Sequence, residues 1–282
     1  MEKAKVVLIT GASTGIGKAV ALEMRRRGWR VFATVRKGSD ALDLTKAGRG
    51  MIEPLVMDVR DNASITRAIA TIQQRAGRLD ALVNNAGIAV PGPLEMLPAE
   101  KLAEQLDINV VGVHRVTRAA LPMLRVNKGR IVMISSVMGR TAMPFAGPYA
   151  ASKHALEGYT DALRLELKGS VKVITIAPGS VVTPIWDKTF ANEVGDAVSE
   201  AYPRAELERL LRFYYKSGQR GVSVVKVAMS VADALELPWV FPRWTVAATP
   251  LMHWFLELLP LPISDWLIGR VVRWPPRTRN RK

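Results

Sequence analysis

The chain has 282 residues, 49% hydrophobic and 23% charged, an ordinary globular composition that suits one large α/β domain or two small ones and is ample to bury a core. It has no cysteine and only three dispersed histidines, which excludes disulfides, thiolate chemistry and a metal-site pattern and fits a reducing cytoplasm. A net charge of +15 would suit an anionic partner, but nucleic-acid motifs and interleaved base-stacking aromatics are missing, so nucleic acid is not expected.

Met1–Lys5 runs directly into "VVLIT", too short an apolar run for a secretory signal, and that run reads as a buried strand. The segments "KVVLIT", "RVFATV", "IEPLVMDV", "LDALVNNA", "GRIVMISS" and "VKVITIAP" read as strands, with helices near 16–28, 62–76, 99–125 and 149–168 between them. A helix near 222–236 leads to a further strand, "RWTVA". This alternation predicts an α/β fold, a Rossmann-like doubly wound parallel sheet of about seven strands with helices on both faces. No linker or repeat interrupts residues 1–282, so one domain is expected. Two regions break the rhythm: 184–220, rich in aromatic residues, and 238–282, which holds five of the seven tryptophans and reads as a helical extension.

"LITGASTGIGKAV" joins the first strand to the first helix through Gly11, Gly15 and Gly17. Glycines there permit a tight turn, and the helix start offers free N–H groups and a positive dipole end to a diphosphate. With Thr10 in front, the spacing T-G-x-x-x-G-x-G resembles that of the short-chain dehydrogenase/reductase family. Further motifs match in order: Asp58 and Val59 in "MDV", Asn84, Asn85, Ala86 and Gly87 as N-N-A-G, and Asn109 in "LDINVVG". Ser136 stands thirteen residues before Tyr149, Tyr149 four before Lys153, and Pro178, Gly179 and Thr183 form P-G-x-x-x-T.

The resemblance implies a nicotinamide dinucleotide. Gly11, Ser13, Thr14, Gly15, Ile16 and Gly17 would hold its diphosphate, Asp58 and Val59 its adenine, and Asn85, Ala86 and Gly87 the segment beside it. Pro178, Gly179, Val181 and Thr183 would hold the nicotinamide end. Where NAD-preferring Rossmann enzymes carry an acid at the end of the second strand, this chain has Val35 followed by Arg36 and Lys37, so NADP(H) is expected over NAD(H).

The resemblance also assigns the chemistry. Tyr149 would pass a proton to the alkoxide left by hydride transfer, Lys153 would favour the phenolate and reach the nicotinamide ribose, Ser136 would hold the carbonyl oxygen, and Asn109 would hold a water of a proton relay. The adjacent Ser135 is a rival for the serine role. The expected function is NADP(H)-dependent interconversion of a bulky apolar ketone or aldehyde and its alcohol, in a pocket lined by Met138, Met143, Trp186 and Phe190. The lead-in "PGSVVTPIW" resembles hydroxysteroid, retinol and hydroxybutyrate dehydrogenase branches and bacterial carbonyl reductases. The alternatives are a 3-ketoacyl-thioester reductase and a non-catalytic NADP(H)-binding regulator. A homodimer or homotetramer through the helices beginning near 99 and 149 is expected. The C-terminal region is expected to cap the pocket or pack on a subunit, with peripheral contact to an anionic membrane as the rival reading.

Overall fold

The computed structural model describes residues 4–182 and 204–272. Thr183, Trp186 and Phe190 lie outside the described residues.

Seven parallel strands form one sheet in the order β3-β2-β1-β4-β5-β6-β7. They are β1 (Val6–Ile9), β2 (Arg30–Val35), β3 (Ile52–Val56), β4 (Ala81–Asn84), β5 (Arg130–Ile134), β6 (Lys172–Pro178) and β7 (Arg243–Val246). The strands are near-continuous apolar runs because the sheet is covered on both faces. In β1, Val7 and Ile9 enter one core cluster while Val6 and Leu8 enter the other, the period-two alternation of a pleated strand. Pro54 sits within β3, where an edge strand can spare a ladder N–H.

On one face lie α1 (Gly15–Arg26) and α8 (Val224–Glu236), packed on each other. On the other lie α3 (Asn62–Ala76), α5 (Gly112–Val126) and α6 (Gly147–Glu166). The strand order reverses between β1 and β4, so loops at the carboxyl ends of the sheet splay apart there and open a crevice.

Two local features differ from the sequence reading. A helix, α2 (Gly38–Ala47), follows β2; it buries only Leu44, so it carries no apolar stripe to read. The long helix expected over 99–125 is α4 (Ala99–Leu106) and α5 joined by a π turn at Asp107–Val111. The C-terminal regions contain α7 (Arg204–Gln219), α9 (Pro250–Leu258) and α10 (Leu261–Val272).

Candidate active site

The loop after β1 is fastened to the loop after β4. Thr10 Oγ1 accepts from the backbone N–H groups of Asn85 and Ala86, both at 2.9 Å, and Asn85 Nδ2 donates to the carbonyls of Thr10 and Gly11, both at 2.9 Å. These bonds explain why T-G and N-N-A-G occur together: each supplies the other's partners. A Cβ on Gly17 would lie 2.4 Å from the Gly11 carbonyl oxygen and 2.5 Å from Asn85 Nδ2, so only hydrogen fits. Gly11, at φ +65, has Ala86 Cα 2.8 Å from where its own Cβ would stand.

The helix start at α1 is built for an anion. Thr14 at its N-cap makes no side-chain cap bond, and no acid stands in the first turn. The first N–H groups and the dipole therefore point uncompensated into the crevice. Gly11, Ser13, Thr14, Gly15 and Ile16 border a cavity of about 510 Å³, whereas Gly17 lies behind them as the packing point. This cradle fits a dinucleotide diphosphate.

The same cavity passes Thr34, Val35 and Arg36 at the end of β2, and Asp58, Val59 and Arg60 after β3. Lys37 is exposed at the start of α2 and does not border it. Burial pushes the Asp58 carboxyl up, but the guanidinium and backbone N–H of Arg60 outweigh this and hold it below the usual range. Arg60 Nη2 stands 3.1 Å from Asp58 Oδ2, and Arg60 Nη1 3.6 Å from Glu104. Arg60 and Thr34 were not anticipated from sequence; the one signal is a polar residue near the carboxyl end of a strand, as in "FATV" and "MDVR".

At the far end the cavity meets Ser135, Ser136, Val137 and Met138 after β5, Tyr149 and Lys153 on α6, and Pro178, Gly179 and Val181 after β6. Ser136 caps a short 3-10 turn, accepting from Met138 N at 3.1 Å, and is hydrogen-bonded to the Tyr149 hydroxyl. Desolvation pushes the Tyr149 phenol up to about 12, with the Ser136 bond opposing it. Burial pushes the Lys153 ammonium down to about 8, with Glu157 opposing it. Burial is the larger of the two influences on the phenol, and the Lys153 ammonium donates to the Ile134 carbonyl at 2.7 Å. The pairing on one helical face is as expected: Lys153 Nζ lies 5.6 Å from the Tyr149 ring centre.

Asn109, on the π turn, does not border the cavity. Its Oδ1 accepts from Ile88 N at 2.9 Å, and its Nδ2 donates to Ile88 O and Ser152 Oγ, both at 3.0 Å. It thus joins the segment after β4 to α6. Ser135 Oγ is buried without a hydrogen-bond partner among the described residues, whereas Ser136 has two.

Met138 borders the cavity, while Met143 does not. Both pack in a satellite cluster with Leu210, Tyr214 and Val272, which brings α7 and the end of α10 over this side of the site. Tyr214 fastens the cluster by donating to the Pro144 carbonyl at 2.5 Å. Beneath it lies a group of buried charges: Arg243 on β7 pairs with Glu157 at 3.1 Å and Glu257 on α9 at 3.2 Å, and Arg140 approaches both acids. Among the described residues no cluster of His, Cys, Asp or Glu could hold a metal ion.

A model of the short chain dehydrogenase family matches residues 5–194. A 3-amino-tetrahydro-pyrrolizinone reductase of Xenorhabdus hominickii is 40% identical over 228 residues, 79% of this chain and 78% of the relative. Retinol dehydrogenase 16 of Mus musculus is 33% identical over 292 residues, 96% of this chain and 88% of the relative. A short-chain dehydrogenase structure from Streptomyces avermitilis superposes with a TM-score of 0.77 at 29% identity, covering 97% of each chain. The chain belongs to the short-chain dehydrogenase family, as an oxidoreductase that acts between carbonyl and alcohol with a NAD(P) nucleotide.

Proposed function

We propose that the chain is an NADP(H)-dependent reductase of a bulky apolar ketone or aldehyde, acting with Tyr149 as the proton donor. The observation that carries this reading is one cavity bordered by the anion cradle, by Arg36, and by Ser136, Tyr149 and Lys153. The bound nicotinamide would supply the hydride. Ser136, hydrogen-bonded to Tyr149, would hold the substrate oxygen, so that the carbonyl lies against the proton it receives. Lys153, held on the Ile134 carbonyl, would keep positive charge near the phenol as the proton leaves. Asn109 would act through Ser152 and Ile88 by holding α6 against the loop after β4. In this reading Thr183, Trp186 and Phe190, which lie outside the described residues, would supply further nicotinamide and substrate contacts.

For the cofactor, Arg36 at the cavity edge and Lys37 one residue beyond support a 2′-phosphate, and Val35 offers no acid to repel it. For the substrate, Met138 lies at the junction of the cavity and the apolar satellite cluster, which supports a non-polar molecule. Retinol dehydrogenase, by its name, acts on such a molecule. A panel of retinal, steroid ketones, aryl ketones and a 3-ketoacyl thioester, followed by NADPH absorbance at 340 nm, tests the reading. Turnover of an apolar carbonyl with a lower KM for NADPH than NADH supports it. Faster turnover of the thioester, or a preference for NADH, overturns that part of it.

A further inference from the structure

The helix α9 is turned inside out. At about 100° per residue, Leu251, Met252, Trp254, Phe255 and Leu258 fall on one broad face, and His253, Leu256 and Glu257 fall on the other. A helix on a water-facing surface buries the first set and exposes the second. Here the reverse holds: no residue of α9 is fully buried, Trp254 is 60% and Phe255 56% exposed, and the Glu257 side chain is 6% exposed in its pairs with Arg243 and Arg140. His253 is half-buried, and burial holds its ring below the usual range.

The apolar surface continues onto α10, where Leu261, Ile263 and Trp266 are exposed while Ile268 and Val272 turn into the satellite cluster. So α10 packs on the satellite cluster that holds Met138 and Met143, with one side only. From Leu237 to Val272 the exposed charges among the described residues are Asp265 and Arg270, and the Arg270 guanidinium stacks over the exposed Trp266 ring at 4.9 Å. An apolar area on this scale marks a docking surface.

We infer that the outer faces of α9 and α10 dock on the interface of an anionic lipid bilayer. Exposed tryptophans beside cations suit the boundary between acyl chains and headgroups. No described helix is long and apolar enough to cross a membrane, so the contact is with the surface. Charge selects the occupant. The sequence after Val272 carries Arg273, Arg277, Arg279, Arg281 and Lys282 with no acid, and each cation near an anionic surface adds attraction. A second copy would instead bring two chains of net charge +15 against one another. The inference stands whichever carbonyl the active site takes.

Flotation of the full chain with phosphatidylcholine vesicles, with and without phosphatidylglycerol, tests this. The protein floats with the anionic vesicles, and acyl-chain-brominated lipid quenches its tryptophan fluorescence. The full-length variant Trp254→Ser/Phe255→Ser/Leu258→Ser loses at least about tenfold in vesicle affinity while keeping its NADPH turnover with a water-soluble carbonyl. Absence of both flotation and quenching by the unaltered chain overturns the inference independently of whether the variant folds. Equal flotation by a folded variant also overturns it, as does a dimer that the variant splits without any vesicle binding.

Discussion

Lys153 Nζ is fastened to the Ile134 carbonyl at 2.7 Å and stands 5.6 Å from the centre of the Tyr149 ring. The phenol and the cation that would tune it are thus held by α6 on one side and the end of β5 on the other. Neither group is in its working state by default: burial pushes Tyr149 up to about 12 and Lys153 down to about 8. An oxidised nicotinamide, when bound, would supply positive charge that favours the phenolate. A difference titration at 295 nm, with Tyr149→Phe identifying the signal, should place the phenol near 12 in the free chain and lower by about 1 to 3 units with NADP+ bound. No change on binding would remove the tuning role. The same variant should lose turnover by at least about a hundredfold while binding NADPH normally.

The buried lysine also sets a stability trend. Its pKa is about 8 folded against 10.5 unfolded, so between those values the unfolded chain holds more protons and stability rises with pH. Tyr149 acts oppositely and later: its contribution is complete below 10 and is lost as pH rises through about 12. Denaturant titrations of the chain and of Lys153→Met should therefore converge as pH rises from 8 to 10, with the variant the more stable at pH 7. Parallel pH curves for the two would show that burial does not perturb Lys153.

The two adjacent serines separate by their partners. Ser136 is bonded to Tyr149 and to Met138 N, while the buried Ser135 hydroxyl has no partner among the described residues. Ser136→Ala should lower kcat by about 10²–10³, as losing one donor to a developing oxyanion does. Ser135→Ala removes a hydroxyl that gains nothing by being there and should leave kcat within a few-fold and stability unchanged or higher. A larger loss of kcat from Ser135→Ala would exchange the two roles.

Most of this site was readable because its residues serve local geometry that leaves a spacing. Gly17 and Asn85 must coexist because the Asn85 amide fills the space a Cβ would need, and Tyr149 and Lys153 share one helical face. The strands were readable because burial on both faces makes them unbroken apolar runs. What was hidden had no local signal. The helix α2 buries one residue, the π turn that aims Asn109 at Ile88 breaks no apolar pattern, and Met143 could not be told from a cavity residue without α7 and α10 in place. The direction of the Tyr149 shift depended on burial, which spacing does not report.

Gly17 gives a sharper test of the cradle than its exposed neighbours. Alanine there would press on the Gly11 carbonyl at 2.4 Å and on Asn85 Nδ2 at 2.5 Å, both already engaged in holding the two loops together. Gly17→Ala should cost about 1–3 kcal/mol in thermal or denaturant unfolding and weaken NADPH binding by at least about tenfold. Isothermal titration separates the two effects. Binding at the original affinity would mean that the loop can shift without loss of its anion site.

Arg243 is the hinge pin of the C-terminal half. It lies between Glu157, one turn beyond Lys153 on α6, and Glu257 on α9, with all three side chains at most 14% exposed. Removing it leaves two buried carboxylates with only the more distant Arg140, at 3.8 and 3.6 Å. Breaking a buried pair from one side costs about 3–5 kcal/mol, since an uncompensated charge stays behind. Arg243→Leu should therefore destabilise the chain by about that amount at pH 7. The triple change Arg243→Leu/Glu157→Gln/Glu257→Gln removes the charges together and should recover much of the loss. If Arg243→Leu alone costs under about 1 kcal/mol, the network behaves as a surface pair and does not hold α9 to the catalytic helix.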